Sequence, residues 1–513
     1  MLEGCLATLS SVPPVPETLR DVLLERAEAD RDRLAYDDEL RRVTFGELAE
    51  LAALRSAQLA EMGVREGDRV ALVLPSGIPF AEAFWGLQLL GATPCAFNPA
   101  VPAETLERRT ALIRPRLVLR EGDLEAAPAP SGPAPEPSLG PEDLAFLQPT
   151  SGTSGEPRAA MIRHRNVLAC MWSNAEDGHI VRDDVLVNWV PPWHDLGLVR
   201  FVIACVYFGS PCHILQPAVR TIPAWLEAVG RVRGTVTAAP DFAFRLATRM
   251  VDPAQVDLST LRYLNNGGEP PRSSTIKAFE ERFGVPGRVL PGYGLAEAVL
   301  GVTVTKLGDA MLVDEHGNVS NGRPFPGIEV RIDGDGSEPG EILVRGDVVF
   351  AGYFDSIEES HKALRDGWLH TGDVGYLDAD GNLFVLGRSR SMIKRGGGVV
   401  ASRELEEAAQ EVDDVRVAAA VSLPAASELN EPIVVAVETS RQSTRPANTV
   451  AAEVSRSIVA RAGFAPARVV VVPPATIPRT ANGKLRHSRL RELVLDGFID
   501  AAAAGGIARA SAS

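Results

Sequence analysis

Short apolar runs that alternate with longer helical patterns constrain this chain more than any other feature. D-R-V-A-L-V-L-P at 68–75 reads as a buried strand, and F-A-E-A-F-W-G-L-Q-L-L-G at 80–91 as a helix that stops at a glycine. The same strand–loop–helix order recurs at L-V-N-W-V-P-P-W-H-D-L-G-L-V-R (186–200), at L-R-Y-L-N-N-G-G-E-P-P-R-S-S-T-I-K-A-F-E (261–280) and at R-V-L-P-G-Y-G-L-A-E-A-V-L (288–300). Repeated βα units predict an α/β fold of wound layers, with ligand loops at the carboxyl ends of the strands.

The grammar changes along the chain. A-P-A-P-S-G-P-A-P-E-P at 127–137 is proline-rich and reads as a surface loop. From about residue 326, short strands separated by glycine turns (P-G-I-E-V-R-I-D-G, G-E-I-L-V-R-G, G-Y-L-D-A-D-G-N-L-F-V-L-G-R) predict a small β-barrel-like subdomain. A separate α+β unit follows, with a helix at S-R-E-L-E-E-A-A-Q-E-V and strands at V-R-V-A-A-A-V and P-I-V-V-A-V. The expected organisation is a large domain over 1–386 with the β-rich subdomain at 326–386. A hinge at 387–391, a small mobile domain at 392–495 and a flexible tail at 496–513 complete it.

Composition narrows the function classes. Apolar residues make up 45% and charged residues 23% of the 513, the balance of a globular protein with several cores. A formal net charge of −15 argues against general binding to nucleic acid or anionic membrane. The most apolar segment, F-V-I-A-C-V-Y-F at 201–208, is far short of the roughly 20 residues a membrane span needs. Five cysteines without a C-x-x-C pair suit buried thiols in a reducing cytoplasm better than disulfides or a zinc site. The N-terminus has no signal-peptide pattern.

P-T-S-G-T-S-G-E-P-R at 149–158 lets successive backbone N–H groups converge on an anion, with hydroxyls adding donors. It is not a Walker A loop, and by itself it reads equally well as a polar turn. Its company is more telling. T-S-G-T-S-G-E-P-R, N-G-G-E-P (266–270), Y-G-L-A-E (293–297), H-T-G-D (370–373), G-R-S-R-S-M-I-K (387–394) and N-G-K (482–484) occur in that order. The ordered set resembles the adenylate-forming superfamily of acyl-CoA synthetases, peptide-synthetase adenylation domains and luciferases, from about T-F-G-E-L at 44–48 to R-H-S-R-L-R-E-L at 486–493. P-P-W-H-D-L-G-L-V, A-A-P-D-F-A-F and Y-G-L-A-E-A look like its fatty-acyl-AMP ligase branch.

The resemblance implies a role for each matched residue. Thr150, Ser151, Gly152, Thr153, Ser154 and Gly155 would wrap the β- and γ-phosphates of ATP, with Arg158 facing the same charge. Gly267, Gly268, Glu269 and Pro270 would line the adenine slot, beside Tyr293 and Gly294. Glu297 would hold Mg²⁺, although a helix-start acid is its structural alternative. Asp373 would accept the ribose hydroxyls, with Arg388 on ribose or phosphate. His194 would adjoin the acyl carboxylate and α-phosphate, against the rival of a structural histidine at a helix start; Asp195 reads as that helix's N-cap. Lys484 would stabilise the charge that builds as a carboxylate attacks phosphorus. Arg390 would be the hinge residue. Gly396, Gly397 and Gly398 would line a tunnel for a phosphopantetheine thiol. Phe201, Val202, Phe242 and Phe244 are candidate walls of an acyl pocket, or core.

Several positions depart from the family pattern. Arg158 and Ala159 replace lysine and glycine, Ala296 replaces threonine, and Ser402 replaces proline. Only about fourteen residues separate Tyr353 from Trp368, too few for the segment acyl-AMP ligases insert there. The resulting expectation is ATP- and Mg²⁺-dependent activation of a hydrophobic carboxylic acid as its acyl-adenylate. Transfer to CoA or to the phosphopantetheine of an acyl carrier protein would follow. An adenylation-only ligase, a luciferase-like oxygenase and a non-catalytic nucleotide-binding relative remain open; an amino-acid adenylation module is disfavoured.

Overall fold

The computed structural model describes residues 16–150, 157–334, 338–389, 392–395, 398–423, 431–479 and 485–503. Its contacts divide the chain into two units, Met1–Thr371 with Tyr376–Val385, and Gly372–Gly375 with Leu386–Ser513.

The first unit is built on two wound sheets. One is five-stranded: Leu117–Arg120, Arg69–Val73, Thr93–Ala96 and Leu144–Thr150 run parallel, and Arg158–Arg163 returns antiparallel along the last edge. The other has nine strands in the order Arg323–Pro324, Gly301–Val304, Val289–Gly294, Tyr263–Asn266, Val236–Ala239, Leu186–Asn188, Cys212–Ile214, Leu34–Asp37 and Arg42–Thr44. Its central strands are parallel and its edges antiparallel. Parallel strands buried on both faces need continuous apolar runs, which is what R-V-A-L-V and V-T-A-A supply.

Local chemistry sets the helices. Thr44 caps Phe45–Glu61 in a capping box with Glu47, a device worth about 1 kcal/mol. Gly91 ends Ile78–Leu90 in the left-handed conformation at φ 72°, where a Cβ would be disfavoured. The core locks the sheets to the helices through buried aromatics. Tyr36 donates its hydroxyl to the Val202 carbonyl at 2.6 Å and accepts from Trp85 Nε1 at 3.1 Å. That pair holds the 198–203 segment in place.

Two expectations need correction. The β-rich subdomain is an open sheet (Glu329–Ile332, Gly340–Arg345, Trp368–Leu377, Leu364–Arg365, with Leu383–Arg388 paired to Trp368–Leu377) and closes no barrel. The stretch after Val289–Gly294 is not a helix. Only a short 3-10 turn, Ala296–Ala298, precedes the antiparallel strand Gly301–Val304. The reason is steric: a Cβ on Gly294 would stand 1.8 Å from the Leu300 carbonyl oxygen, so the chain folds straight back on itself there.

The second unit carries a three-stranded sheet, Val415–Ser422, Ile433–Thr439 and Arg468–Val472, and a hairpin, Met392–Arg395 with Gly398–Ala401. The helices Ser402–Gln410, Ala447–Ala462, His487–Leu495 and Phe498–Ala503 complete it.

Candidate active site

Ligand loops are expected where parallel strands end, and the unusual side chains of the first unit gather there. Thr150 closes the strand Leu144–Thr150, and its register partner is Arg158, the first residue of the returning strand. Ser151, Gly152, Thr153, Ser154 and Gly155 lie between them, outside the described residues. Among the described residues, the buried Thr150 Oγ1 and Gln148 Oε1 atoms find no hydrogen-bond partner. An orphaned hydroxyl at a strand end is costly unless a ligand completes it.

Arg158 does not stand as an isolated phosphate clamp. Its guanidinium pairs with Glu359 and lies over the Tyr353 ring, 5.2 Å from the centroid. The Tyr353 hydroxyl donates to Glu297 Oε1 at 2.8 Å. Burial first, then the Glu297 charge, pushes the Tyr353 phenol up, so the hydroxyl keeps the proton it donates. Backbone bonds fix this arrangement: Phe354 N to Ala159 O, Met161 N to Gly352 O, and Phe350 N to Glu297 O. Ser360 Oγ accepts from Tyr353 N at 2.8 Å and anchors the helix Ile357–Ala363 that carries Glu359. A cation, an aromatic ring and a carboxylate thereby form one chain. The planar guanidinium can stack and pair at once, as an ammonium cannot.

The G-G-E-P loop is held by a residue the motif reading passed over. Asp241, 2% exposed, accepts from Arg272 N at 3.0 Å, Asn266 Nδ2 at 3.3 Å and Thr275 Oγ1 at 3.1 Å. Glu269 Oε2 accepts from Phe242 N at 3.1 Å, so this carboxylate also ties the loop to the helix Asp241–Met250. Gly268 sits at φ 79° with open space where a Cβ would point. Pro270 follows in the same loop. Tyr293 and Gly294 end the neighbouring parallel strand, and Tyr293 is half-buried.

His194 precedes the short helix Asp195–Gly197 and occupies its N-cap position in extended backbone. Asp195 is therefore the first helical residue and not the cap, and its Oδ1 accepts from Leu196 N. A Cβ on Gly197 would stand 2.1 Å from the Pro191 oxygen, so this turn approaches the P-P-W-H loop as only glycine permits. The segment then widens into a π-helix, Leu198–Ile203. Phe201 and Val202 on it are buried in the main core cluster. Phe244 belongs to a different cluster, edge-on to Trp225 at 5.9 Å and Phe279 at 5.0 Å, the surroundings of a packing residue. Phe242 is half-buried, tilted against Trp189.

In the second unit, Asp373 is 6% exposed and pairs with Arg388 Nε at 3.0 Å. Two residues assigned to nucleotide binding thus meet each other. Gly398 opens the second strand of the hairpin. Arg390, Gly396, Gly397 and Lys484 lie outside the described residues.

Tyr353, Glu359 and Asp241 escaped the motif reading. Glu359 lies more than two hundred residues after Arg158 in sequence, and nothing in its own neighbourhood announces that partner. Among the described residues no group of three His, Cys, Asp or Glu side chains could hold a metal ion. A single carboxylate, Glu297, nonetheless suits Mg²⁺, which keeps waters and takes its other ligands from substrate phosphates. No helix among the described residues is long and apolar enough to cross a membrane, and the four described cysteines are free and buried.

Residues 23–354 match the AMP-binding enzyme family. A putative ligase of Mycobacterium tuberculosis is 31% identical, covering 88% of this chain and 95% of its own. JamA of Moorena producens, a medium-chain-fatty-acid–[acyl-carrier-protein] ligase, is 27% identical, covering 95% and 96%. Among solved structures, one from work on fatty acyl-adenylate ligases of E. coli and L. pneumophila superposes with a TM-score of 0.83. It has 24% identity and covers 95% of this chain and 98% of that one.

Proposed function

Because the chain belongs to the AMP-binding enzyme family, we propose that it uses ATP to activate a hydrophobic carboxylic acid as its acyl-adenylate. It is an acid–thiol or acyl-AMP ligase. A carboxylate oxygen of the acid attacks the α-phosphorus, the bond to the β-phosphate oxygen breaks, and pyrophosphate leaves. The acyl group then passes to a phosphopantetheine thiol, on CoA or on an acyl carrier protein. The observation that carries the reading is the chain from Arg158 through Tyr353 to Glu297 beside the orphaned Thr150 hydroxyl.

In this reading Thr150 and the 151–155 loop hold the departing phosphates, and Arg158 faces their charge from a position set by Tyr353 and Glu359. Glu297 would hold Mg²⁺, which neutralises phosphate charge when bound. Gly267, Gly268, Glu269 and Pro270 form the wall on which adenine lies, and Tyr293 offers it a ring face. Asp373 and Arg388 take the ribose and a phosphate oxygen. His194 adjoins the acyl carboxylate, and Phe201, Val202 and Phe242 border the acyl chain. Lys484 arrives from the C-terminal domain, which turns about Arg390 in the 387–391 hinge. In the alternative pose Gly396, Gly397 and Gly398 line the thiol path. Buried thiols suit a cytoplasmic location.

A second reading, adenylation without thioester formation, is favoured by a long-chain-fatty-acid–AMP ligase of Mycobacterium marinum, 28% identical over 89% of this chain. Acid-dependent ATP–pyrophosphate exchange tests the first step. Mass spectrometry of products with no acceptor, with CoA and with a holo carrier protein tests the second. No exchange with any acid overturns the function; acyl-AMP alone in all three arms selects the second reading.

A further inference from the structure

The residues from Gly267 to Pro271 join the strand Tyr263–Asn266 to the helix Ser273–Phe283. Pro270 and Pro271 carry no N–H, so the first backbone donor after Glu269 is Arg272 N. It donates to Asp241 Oδ1 at 3.0 Å. At the other end of the loop Asn266, fully buried, gives its Nδ2 to the same oxygen at 3.3 Å. Both ends of the loop therefore meet on one carboxylate. The rest of its anchorage comes from the same short segment. Gly267 N donates to the Ala239 carbonyl at 3.3 Å, and Phe242 N donates to Glu269 Oε2 at 3.1 Å. Residues 239–242, which close the strand Val236–Ala239 and start the helix Asp241–Met250, thus hold the loop at its beginning, middle and end.

Asp241 suits this task by its placement. It is the first residue of its own helix and serves as the cap of the next one. Arg272, the N-cap residue of Ser273–Phe283, makes no side-chain cap bond of its own. Asp241 instead accepts from Arg272 N and, through Oδ2 at 3.1 Å, from the Thr275 hydroxyl in the first turn. Helix N-termini favour a carboxylate, so this side chain, 2% exposed, is met by two helix ends and three donors. The loop has little stiffness of its own, because it opens with two glycines and the second stands at φ 79°. Its shape is imposed from outside.

We propose that Asp241 is a positioning residue for the nucleotide: by tying both ends of the 267–271 loop, it sets the wall on which adenine lies before ATP arrives. This rests on the acid-activating reading above, in which Gly267, Gly268, Glu269 and Pro270 line the adenine slot. A loop already held in its bound shape spends less binding free energy on ordering. The effect falls on affinity for the base and leaves the phosphate side, around Thr150 and Arg158, unaltered.

The test is ATP–pyrophosphate exchange with the most active member of a saturated fatty-acid series, with KM measured for ATP, pyrophosphate and acid in turn. Asp241→Ala removes all three bonds. It should raise KM for ATP about tenfold, with the other two KM values and kcat within about twofold of wild type. Asp241→Asn keeps Oδ1 as acceptor for Asn266 and Arg272 and can set its amide against the Thr275 oxygen, so it should stay within about threefold of wild type. If Asp241→Ala does not fold, Thr275→Val decides, with KM for ATP expected to rise about threefold for the one bond removed. An unchanged KM for ATP in the deciding variant overturns the proposal. So do equal rises in all three KM values, the mark of a merely structural residue, and an Asp241→Asn as impaired as Asp241→Ala. Absence of wild-type exchange with every acid removes the activation reading itself; exchange with an unaltered KM for ATP in the variant removes only the role of Asp241.

Discussion

Two arginines on the first unit face opposite problems. Arg158 meets an acid, Glu359, and an aromatic face, Tyr353, within the fold, and through Tyr353 it is linked to Glu297. Arg200 is more deeply buried and meets one hydroxyl. A cation matched by the protein is held in one place before any ligand arrives, so its role is positional. A buried cation that meets a single hydroxyl carries a desolvation cost that the rest of the fold must offset.

The sharpest way to break the comparison is at the acid end of the matched chain. Glu297→Gln keeps the Tyr353 hydrogen bond in shape but removes the charge that would hold Mg²⁺. The rate of pyrophosphate exchange should fall about a hundredfold or more, with restored folding shown by an unchanged circular dichroism spectrum. A loss under about threefold would remove Glu297 from the metal role.

His164 supplies the third case, a buried base that can shed its charge. It is 1% exposed, its Nδ1 accepts from Leu19 N at 3.1 Å, and burial lowers its pKa from 6.5 to about 4. The folded state thus binds fewer protons than the unfolded one between those values. Its contribution is whole above pH 6.5 and is lost as pH falls towards about 4, a change of about 3 kcal/mol. Urea denaturation across that range should show a steeper loss for the wild type than for His164→Gln. Parallel curves would refute the neutral buried state.

Tyr353→Phe keeps the ring under Arg158 and deletes the donor to Glu297. Hydrogen bonds to charged groups are worth about 1.5–3 kcal/mol, so kcat should fall about tenfold with KM for ATP little changed. The smallest effect belongs to Glu359→Gln, which frees Arg158 without touching Tyr353 or Glu297. KM for ATP should shift about threefold, since a partly exposed ion pair contributes roughly 1 kcal/mol or less. If Glu359→Gln matched Glu297→Gln in severity, Arg158 would owe its position to the ion pair and not to the ring.

Local sequence determined much of this protein. Apolar runs bounded by glycine and proline located the parallel strands, and Thr44, Glu47 and Gly91 marked helix ends, because such signals act within a few residues. Thr150 ends its strand, while Gly268 and Glu297 follow theirs within three residues. What local pattern could not carry was the return of the chain after Gly294, where L-A-E-A-V-L reads as the helix of another βα unit. The Leu300 carbonyl packs against the glycine and makes a hairpin instead.

Pairings across long separations were likewise decided only by the tertiary structure. Glu359 became the partner of Arg158 because the 350–354 segment zips onto the strand Arg158–Arg163. Arg200 is one cation within a largely apolar run, and only the fold buries it to 3% exposure and turns its Nη1 to the Tyr263 hydroxyl. Residue type specified which charges the chain carries. Desolvation and proximity, which exist only after folding, decided which partners answer each of them.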